Sequence, residues 1–210
     1  MPGSATDDLE GAYALETPAD NAAYYRDFAA RYDSGFAAET GYVVPREVAR
    51  LFMAHAGPEH GPVLDIGAGT GLLAEHLGAF PVDGIDISPE MLAAAGAKGL
   101  YRRRIVADLT LPLDLPDASY GGLVSSGTFT HGHVGPVALA ELLRVARPGA
   151  LFCLGINLAV FDEAGFGSAF ARLVADGAIT PVAFRDLAFY EGVEHAHSND
   201  RGVAALFSKR

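Results

Sequence analysis

An apolar run followed by three regularly spaced glycines constrains this chain more than any other feature. Residues 63–73 read VLDIGAGTGLL, so Gly67, Gly69 and Gly71 follow a short apolar segment at every second position. Glycine adopts positive φ angles without strain and lets a ligand lie directly against the backbone. Loops of this kind join a parallel strand to a helix where a nucleotide binds at the carboxyl ends of the strands. The segment therefore predicts an α/β chain with a nucleotide site.

Strand and helix patterns alternate along the rest of the chain. The predicted strands are residues 62–66, 82–87, 101–107, 122–126, 150–157, 180–190 and 202–208. The predicted helices are residues 20–36, 44–56, 72–77, 136–145 and 162–176, with another that begins at Ser88-Pro89-Glu90. This alternation implies right-handed βαβ units and a parallel sheet. The last two strands have no helix between them, which predicts an antiparallel pair at one sheet edge.

Composition narrows the class of partner. The chain has 210 residues, half of them hydrophobic, and a net charge of −11. This length suits one α/β domain with a substantial core. Nucleic acid and anionic membranes repel so acidic a protein, and we expect neither as a partner. The sequence shows no signal peptide and no apolar span of about 18 residues, so we expect a cytoplasmic protein. We also expect a monomer or a weak homodimer.

The spacing around the glycines favours one kind of nucleotide. In dinucleotide-binding loops the third glycine comes three residues after the second, whereas Gly71 comes only two residues after Gly69. Asp65 precedes the first glycine, where a carboxylate would repel a pyrophosphate but would suit the ammonium of an amino-acid group. The pattern therefore favours a cationic nucleoside over NAD, and an NAD-linked oxidoreductase stays an alternative.

Acidic residues after the next two strands support this reading. Asp86 ends the second strand, where it can accept hydrogen bonds from both ribose hydroxyls. Asp108 follows the third strand and can accept the exocyclic amine of adenine, while Leu109 supplies a backbone N–H. Ile87 and Met91 can pack against the two faces of the ring. The three acids in this order are more specific together than any one of them.

The segments VLDIGAGTG, GIDISPEML, ADL and LLRVARPGALF together resemble class I S-adenosylmethionine-dependent methyltransferases. SSGTFTHGHVGP resembles the branch of methyltransferase-like proteins named after the Williams–Beuren syndrome critical region. The resemblance implies a Rossmann-like class I methyltransferase fold, with a mostly parallel seven-stranded sheet, helices on both faces and a C-terminal antiparallel strand pair. It also implies S-adenosyl-L-methionine as cofactor and S-adenosyl-L-homocysteine as product.

The resemblance also implies which residues hold this cofactor. Ser125 and Ser126 would lie near the sulfonium. Tyr25 and Tyr32, seven residues apart, could close a lid over it through ring-face contacts, although packing of an amphipathic helix explains the same spacing. The residues implied from the methionine end to the adenine are Asp65, Gly67, Ala68 and Gly69, then Asp86, then Ile87, Met91, Asp108 and Leu109.

The candidates for a general base follow the fourth strand. His131 and His133 lie among glycines there, and an imidazole suits proton transfer near neutral pH. They could instead shape the loop or touch substrate without proton transfer, and we expect no metal from so short an H-x-H pair. The Asn/Asp-Pro-Pro-aromatic motif of exocyclic-amine methyltransferases is absent after this strand, which argues against a nucleobase acceptor.

The expected function is methyl transfer to an oxygen or nitrogen atom of a small molecule. Residues 1–56 are expected to form a leader and a helical lid, and residues 57–210 a cofactor-binding core. The alternative from another class of protein is a non-catalytic module that binds S-adenosylmethionine or regulates a partner.

Overall fold

The structure is a computed structural model that describes residues 10–12, 15, 17–29, 31–78 and 80–210. Within these residues one sheet has the strand order β3-β2-β1-β4-β5-β7-β6. The first five strands in this order are parallel, and β7 runs antiparallel to both β5 and β6. The predicted fold class, including its C-terminal antiparallel pair, is confirmed. The strands are β1 (Val63–Ile66), β2 (Val82–Asp86), β3 (Arg103–Val106), β4 (Tyr120–Phe129), β5 (Ala146–Asn157), β6 (Ala183–Ala188) and β7 (Arg201–Ser208).

The helices begin where the sequence supplies caps. Thr17 and Asp20 form a reciprocal capping box at the start of α1, and the Ser88 hydroxyl accepts the Met91 N–H at 3.2 Å at the start of α3. Pro18 and Pro89 occupy the first helical positions, where a missing N–H costs nothing. The helices are α1 (Pro18–Phe28), α2 (Val44–Met53), α3 (Pro89–Ala97), α4 (Ala138–Val145), α5 (Leu158–Phe161) and α6 (Phe166–Ala175).

The prediction of one continuous helix over residues 20–36 is wrong. The α-helix ends at Phe28, and a π-helical segment, Tyr32–Ala37, follows it and leads into one helical turn, Ala38–Thr40. Apolar spacing of three or four residues runs across the break, because Phe28 and Tyr32 still pack edge to face with ring centroids 5.3 Å apart. The periodicity therefore could not reveal where the helical hydrogen bonds change.

Other element ends also differ from prediction. Residues 72–77 contain only a 3₁₀ turn, Ala74–His76, because Gly71 and Gly78 bound a segment too short for a stable helix. β4 and β5 are longer than predicted, whereas β6 is shorter. Of the predicted leader, residues 1–9, 13, 14 and 16 lie outside the described part of the chain, and residues 10–12 are helical.

Apolar side chains cover both faces of the sheet. Leu64, Ile66 and Phe152 point into one core beneath α4 and α6, and Val63 and Cys153 point into another beneath α1 and α2. Central strands buried on both faces show nearly continuous apolar sequence, as in β1 and β5. Among the described residues, no helix combines the length and apolarity needed to cross a bilayer.

Candidate functional site

The loop after β1 presents bare backbone because two of its glycines adopt angles that other residues avoid. Gly67 has a φ of 65° and Gly69 a φ of 52°. A Cβ on Gly67 would collide with the hydroxyl of Thr128, which donates a hydrogen bond to the Ile66 carbonyl at 2.9 Å. Both the angle and the close approach therefore require glycine at position 67.

The loop forms one wall of a cavity of about 700 Å³ that opens to solvent, here called the glycine-loop cavity. Its other walls come from α1, the ends of β2 and β3, the start of α3, and the end of β4 with the loop after it. Such placement at the carboxyl ends of parallel strands is usual for ligand sites in α/β folds. The lining residues are Pro18, Asn21, Tyr25, Tyr32, Gly67, Gly69, Asp86, Ile87, Met91, Ala107, Asp108, Leu109, Thr110, Ser126, Gly127, Thr128, His133 and Val134.

Asp86 connects the glycine loop to α3. One carboxylate oxygen accepts the Gly69 N–H at 2.8 Å, and the other accepts the Ser88 N–H at 2.8 Å. Burial raises the pKa of Asp86, and the backbone hydrogen bonds oppose that rise. Each oxygen keeps a lone pair for a further donor. The carboxylate can therefore accept two hydroxyl groups from a ligand in the cavity.

Asp65 lies beneath the glycine loop and does not line the cavity. Its side chain is 1% exposed, and it accepts a hydrogen bond from the Tyr101 hydroxyl at 2.6 Å. Burial raises the pKa of Asp65 to about 7, while the Tyr101 hydrogen bond lowers it. Tyr101 stands 36 residues away in sequence, so this pairing could not be inferred from local pattern.

The far end of the cavity has an acidic and an apolar part. Asp108 accepts both the backbone N–H and the hydroxyl of Thr110 on one oxygen, at 2.8 and 2.7 Å. Its second oxygen is available to a ligand, and Leu109 lies beside it. Ile87 and Met91 line the same cavity from the start of α3. This arrangement suits a flat ring with a hydrogen-bond donor on its edge.

The two serines of β4 differ in position. Ser125 is fully buried and donates its hydroxyl to the Ile66 carbonyl at 2.8 Å, so it holds β4 to β1. Ser126 lines the cavity. Alternation along a strand explains the difference, because neighbouring side chains point to opposite faces.

Asn21, a residue that sequence reasoning missed, lines the cavity from α1. Its amide nitrogen donates to the Thr17 carbonyl at 2.9 Å and to the Gly132 carbonyl at 2.8 Å. The side-chain oxygen is buried and has no hydrogen-bond partner within the described residues. A buried acceptor without a partner costs stability, and this oxygen is not exposed on the cavity surface.

Tyr25 and His133 form a hydrogen-bonded pair above the end of β4. His133 Nδ1 lies 2.5 Å from the His131 carbonyl and must donate to it, which leaves Nε2 as the acceptor of the Tyr25 hydroxyl at 3.0 Å. Burial lowers the pKa of His133 despite that backbone hydrogen bond. The imidazole is therefore neutral at physiological pH, with its lone pair towards the cavity wall.

Most of the predicted site residues come together in the glycine-loop cavity. Among the residues that sequence reasoning missed, Thr128 lies within the segment SSGTFTH, but nothing local marks Asn21 or Thr110. Of the predicted residues, Tyr25, Tyr32, Gly67, Gly69, Asp86, Ile87, Met91, Asp108, Leu109, Ser126 and His133 line the cavity, whereas Asp65, Ala68, Ser125 and His131 do not.

Comparisons with known proteins place this geometry in a family. The family described as a methyltransferase domain matches residues 64–154. Human methyltransferase-like protein 27 is 35% identical over 152 residues, which cover 70% of this chain and 61% of that protein. The chain thus spans about three fifths of the length of this curated relative.

Solved structures share the fold at low sequence identity. A TehB-like S-adenosylmethionine-dependent methyltransferase of Corynebacterium glutamicum is 20% identical, with a TM-score of 0.59 over 90% of this chain and 99% of that chain. An S-adenosylmethionine-dependent methyltransferase of Aquifex aeolicus is 21% identical, with a TM-score of 0.57 over 88% of this chain and 97% of that chain.

Proposed function

Because the chain belongs to the class I S-adenosylmethionine-dependent methyltransferases, we propose that it transfers a methyl group to an oxygen or nitrogen atom of a small molecule. S-adenosylmethionine, rather than NAD, is the cofactor of this family. We further propose that residues 1–56 act as a leader and a helical lid, and residues 57–210 as the cofactor-binding core. The lid assignment is supported by Tyr25 and Tyr32, which line the glycine-loop cavity.

The glycine-loop cavity fits this cofactor. The observation that carries the proposal is the hydrogen bond from the Gly69 N–H to Asp86, at 2.8 Å. It places a carboxylate that can accept two hydroxyl groups of a ligand beside the exposed backbone of the glycine loop. Asp86 would then hold the ribose, Ile87 and Met91 the adenine faces, and Asp108 its edge.

The methionine end would lie along the glycine loop, above Asp65. When bound, the cofactor supplies an electrophilic methyl carbon on a positive sulfur. Gly67 and Gly69 would leave backbone open to the amino-acid group, and Ser126 would lie near the sulfonium. Tyr32 would face the positive charge with its ring. Asp65 would act through Tyr101 and the loop backbone, because it does not reach the cavity.

His133 is the proposed general base. It lines the cavity and is neutral, and Nε2 can take a proton through the Tyr25 hydroxyl that contacts it. His131 lines neither wall of the cavity and contributes its backbone carbonyl, which fixes the His133 tautomer. A small acceptor is supported by α1, which forms one wall of the cavity through Pro18, Asn21 and Tyr25 and narrows it.

The test is isothermal titration calorimetry with S-adenosylhomocysteine, run beside NADH. We expect the thioether to bind and NADH not to bind. Asp86→Ala should weaken the thioether about 10- to 100-fold, because two hydrogen bonds to a charged group are lost. Asp114→Ala is the matched control, since Asp114 is an exposed loop aspartate away from the cavity.

Two outcomes would overturn this assignment. Binding of NADH in place of the thioether would exclude the proposed cofactor site. An Asp86→Ala variant that binds the thioether as tightly as the Asp114→Ala control would exclude Asp86 as the ribose ligand.

A further inference from the structure

A second cavity, of about 580 Å³, adjoins the first behind the Tyr25–His133 pair. We call it the aromatic chamber. Tyr25, Tyr32, Gly127 and His133 line both cavities, so the pair stands at their junction. The lining residues of the chamber are Ala12, Tyr25, Phe28, Tyr32, Phe36, Tyr42, Val44, Gly127, Phe129, Thr130, His133, Gly155, Asn157, Phe189 and Tyr190.

Aromatic rings in mutual contact make the walls of the chamber. The ring centroids of Phe36 and Tyr42 are 5.5 Å apart, and those of Tyr42 and Tyr190 are 5.8 Å apart. Phe189 continues the series at 6.3 Å from Tyr190. Such packing gives a rigid concave surface that suits another flat ring in edge or offset contact.

The chamber offers polar groups but no charge among the described residues that line it. Asn157 donates to the Thr130 hydroxyl at 3.2 Å, and its oxygen accepts the Ala159 N–H at 2.9 Å. While His133 is neutral, an ionised carboxylate or ammonium buried here would find no opposite charge on the described residues of these walls. Burial of an unpaired charge is very costly, so the chamber selects against ionised ligands.

We propose that the aromatic chamber binds the methyl acceptor, and that this acceptor is a small, uncharged aromatic compound with a hydroxyl group. The proposal rests on the proposed methyltransferase function. The ring lies among the aromatic walls, and the hydroxyl meets the Tyr25–His133 pair at the junction of the two cavities. We expect a compound of no more than one or two rings, because the space of about 580 Å³ between the walls includes some that is open to solvent.

Proton transfer at the junction balances the reaction. The acceptor oxygen forms a bond to the methyl carbon as the carbon–sulfur bond breaks, and the electron pair of that bond stays on sulfur as a neutral thioether. The acceptor hydroxyl gives its proton to the oxygen of Tyr25, and Tyr25 passes its own to Nε2 of His133. The net result is an aryl methyl ether and a protonated imidazole.

The experiment compares aromatic probes that carry a neutral hydroxyl, a carboxylate or an ammonium group, on the full chain saturated with S-adenosylhomocysteine. Phenol and 2-naphthol are the neutral hydroxyl probes, 2-naphthoate is the anionic probe, and 2-naphthylmethylamine is the cationic probe. We expect 2-naphthol or phenol to bind at least tenfold more tightly than either charged probe. With S-adenosylmethionine in place of the thioether, mass spectrometry should detect the methyl ether.

A variant that fills the chamber locates the site. Ala12→Phe adds a ring inside the chamber without entering the glycine-loop cavity. It should therefore weaken the binding of the hydroxyl probe at least tenfold and leave the affinity for S-adenosylhomocysteine within twofold of wild type. Ala140→Phe adds the same ring on the exposed face of α4 and should change neither. Circular dichroism of both variants checks that they fold.

The outcomes separate this proposal from the function on which it rests. Failure of the thioether to bind wild-type protein contradicts the methyltransferase proposal itself. Thioether binding with no binding of either hydroxyl probe, or with tighter binding of a charged probe, overturns the neutral aromatic acceptor. An unchanged affinity for the hydroxyl probe in a folded Ala12→Phe variant overturns the chamber as its site.

Discussion

The two ring nitrogens of His133 have different partners. Nδ1 donates to the His131 carbonyl at 2.5 Å, and Nε2 accepts from Tyr25 at 3.0 Å. Burial lowers the pKa of this imidazole from its ordinary value of 6.5. A neutral ring therefore persists to lower pH than an exposed histidine would allow, which suits a proton acceptor near pH 7.

We expect kcat/KM for the hydroxyl acceptor to fall as pH decreases through the lowered pKa of His133, because protonation removes the lone pair on Nε2. In His133→Gln this acid limb should vanish, and kcat should fall about 10²- to 10⁴-fold. A pH–rate profile measures both effects. Carbon-13 NMR of labelled histidine gives the His133 titration midpoint without turnover, and it should lie below 6.5.

The neighbouring histidine provides the comparison. His131→Gln should keep the acid limb, because the hydrogen bond from His133 goes to the His131 backbone carbonyl. The limb should move only to slightly higher pH, because the His131 side chain also lowers the pKa of His133. If the acid limb disappeared in His131→Gln and persisted in His133→Gln, the general base would be His131 and the assignment to His133 would be wrong. A His133 midpoint above 6.5 would contradict the effect of burial.

The sequence predicted those site residues whose place at or shortly after the end of a strand brings them to the cavity. Asp86, Asp108 and Met91 follow strand ends, and the structure brings them into one cavity. Asn21 and Tyr101 could not be found in this way. Their contacts join residues 111 and 36 positions apart, and no local pattern records such pairs.

The π-helical segment is tied to the glycine loop through Asp33. One oxygen of its carboxylate accepts the Thr70 hydroxyl at 2.5 Å, and the other lies 2.6 Å from Lys98 Nζ at the end of α3. Lys98 also pairs with Glu75 at 2.5 Å. The segment that carries Tyr32 is therefore fastened to two elements of the proposed cofactor site.

Asp33→Asn should loosen this attachment and weaken the binding of S-adenosylhomocysteine about fivefold, because a partly exposed ion pair contributes about 1 kcal/mol. The change should be seen mainly as faster dissociation in stopped-flow measurements. Ser34→Ala is the control, since Ser34 is exposed on the same segment. Equal dissociation rates in the two variants would remove Asp33 from the lid attachment.

Elements were predicted more reliably than their ends. Alternating apolar segments placed all seven strands, because central strands must bury both faces. The break between α1 and the π-helical segment was missed, since the aromatic spacing is unchanged across it. The hydrogen bonds that mark the break, including Arg31 N–H to the Phe28 carbonyl three residues earlier at 3.1 Å, belong to the backbone and leave no trace in residue types.

For the chain as a whole, the buried Asp65 makes stability depend on pH. Its pKa is about 7 in the folded state and near the ordinary 3.8 when unfolded. Between these values the folded state holds a proton that the unfolded state has lost. The contribution of Asp65 to the free energy of unfolding therefore falls as pH rises from about 4 to 7, and is constant above that range.

Asp65→Asn should remove this dependence while keeping an acceptor for the Tyr101 hydroxyl. In urea unfolding, the free energy of the variant relative to wild type should rise between pH 4 and pH 8 by on the order of 4 kcal/mol. Asp114→Asn, at an exposed position, should show no such rise. A constant difference between Asp65→Asn and wild type would contradict the raised pKa.

One helix roofs both cavities. Pro18, Asn21 and Tyr25 of α1 cover the glycine-loop cavity, and Tyr25 and Phe28 cover the aromatic chamber. The two proposed ligands would therefore lie beneath the same helix. If both proposed ligands bind beneath α1, one outward movement of α1 would release both products, so the cycle would have one opening event in place of two. Slow opening would appear as a burst of methylated product followed by a slower steady rate.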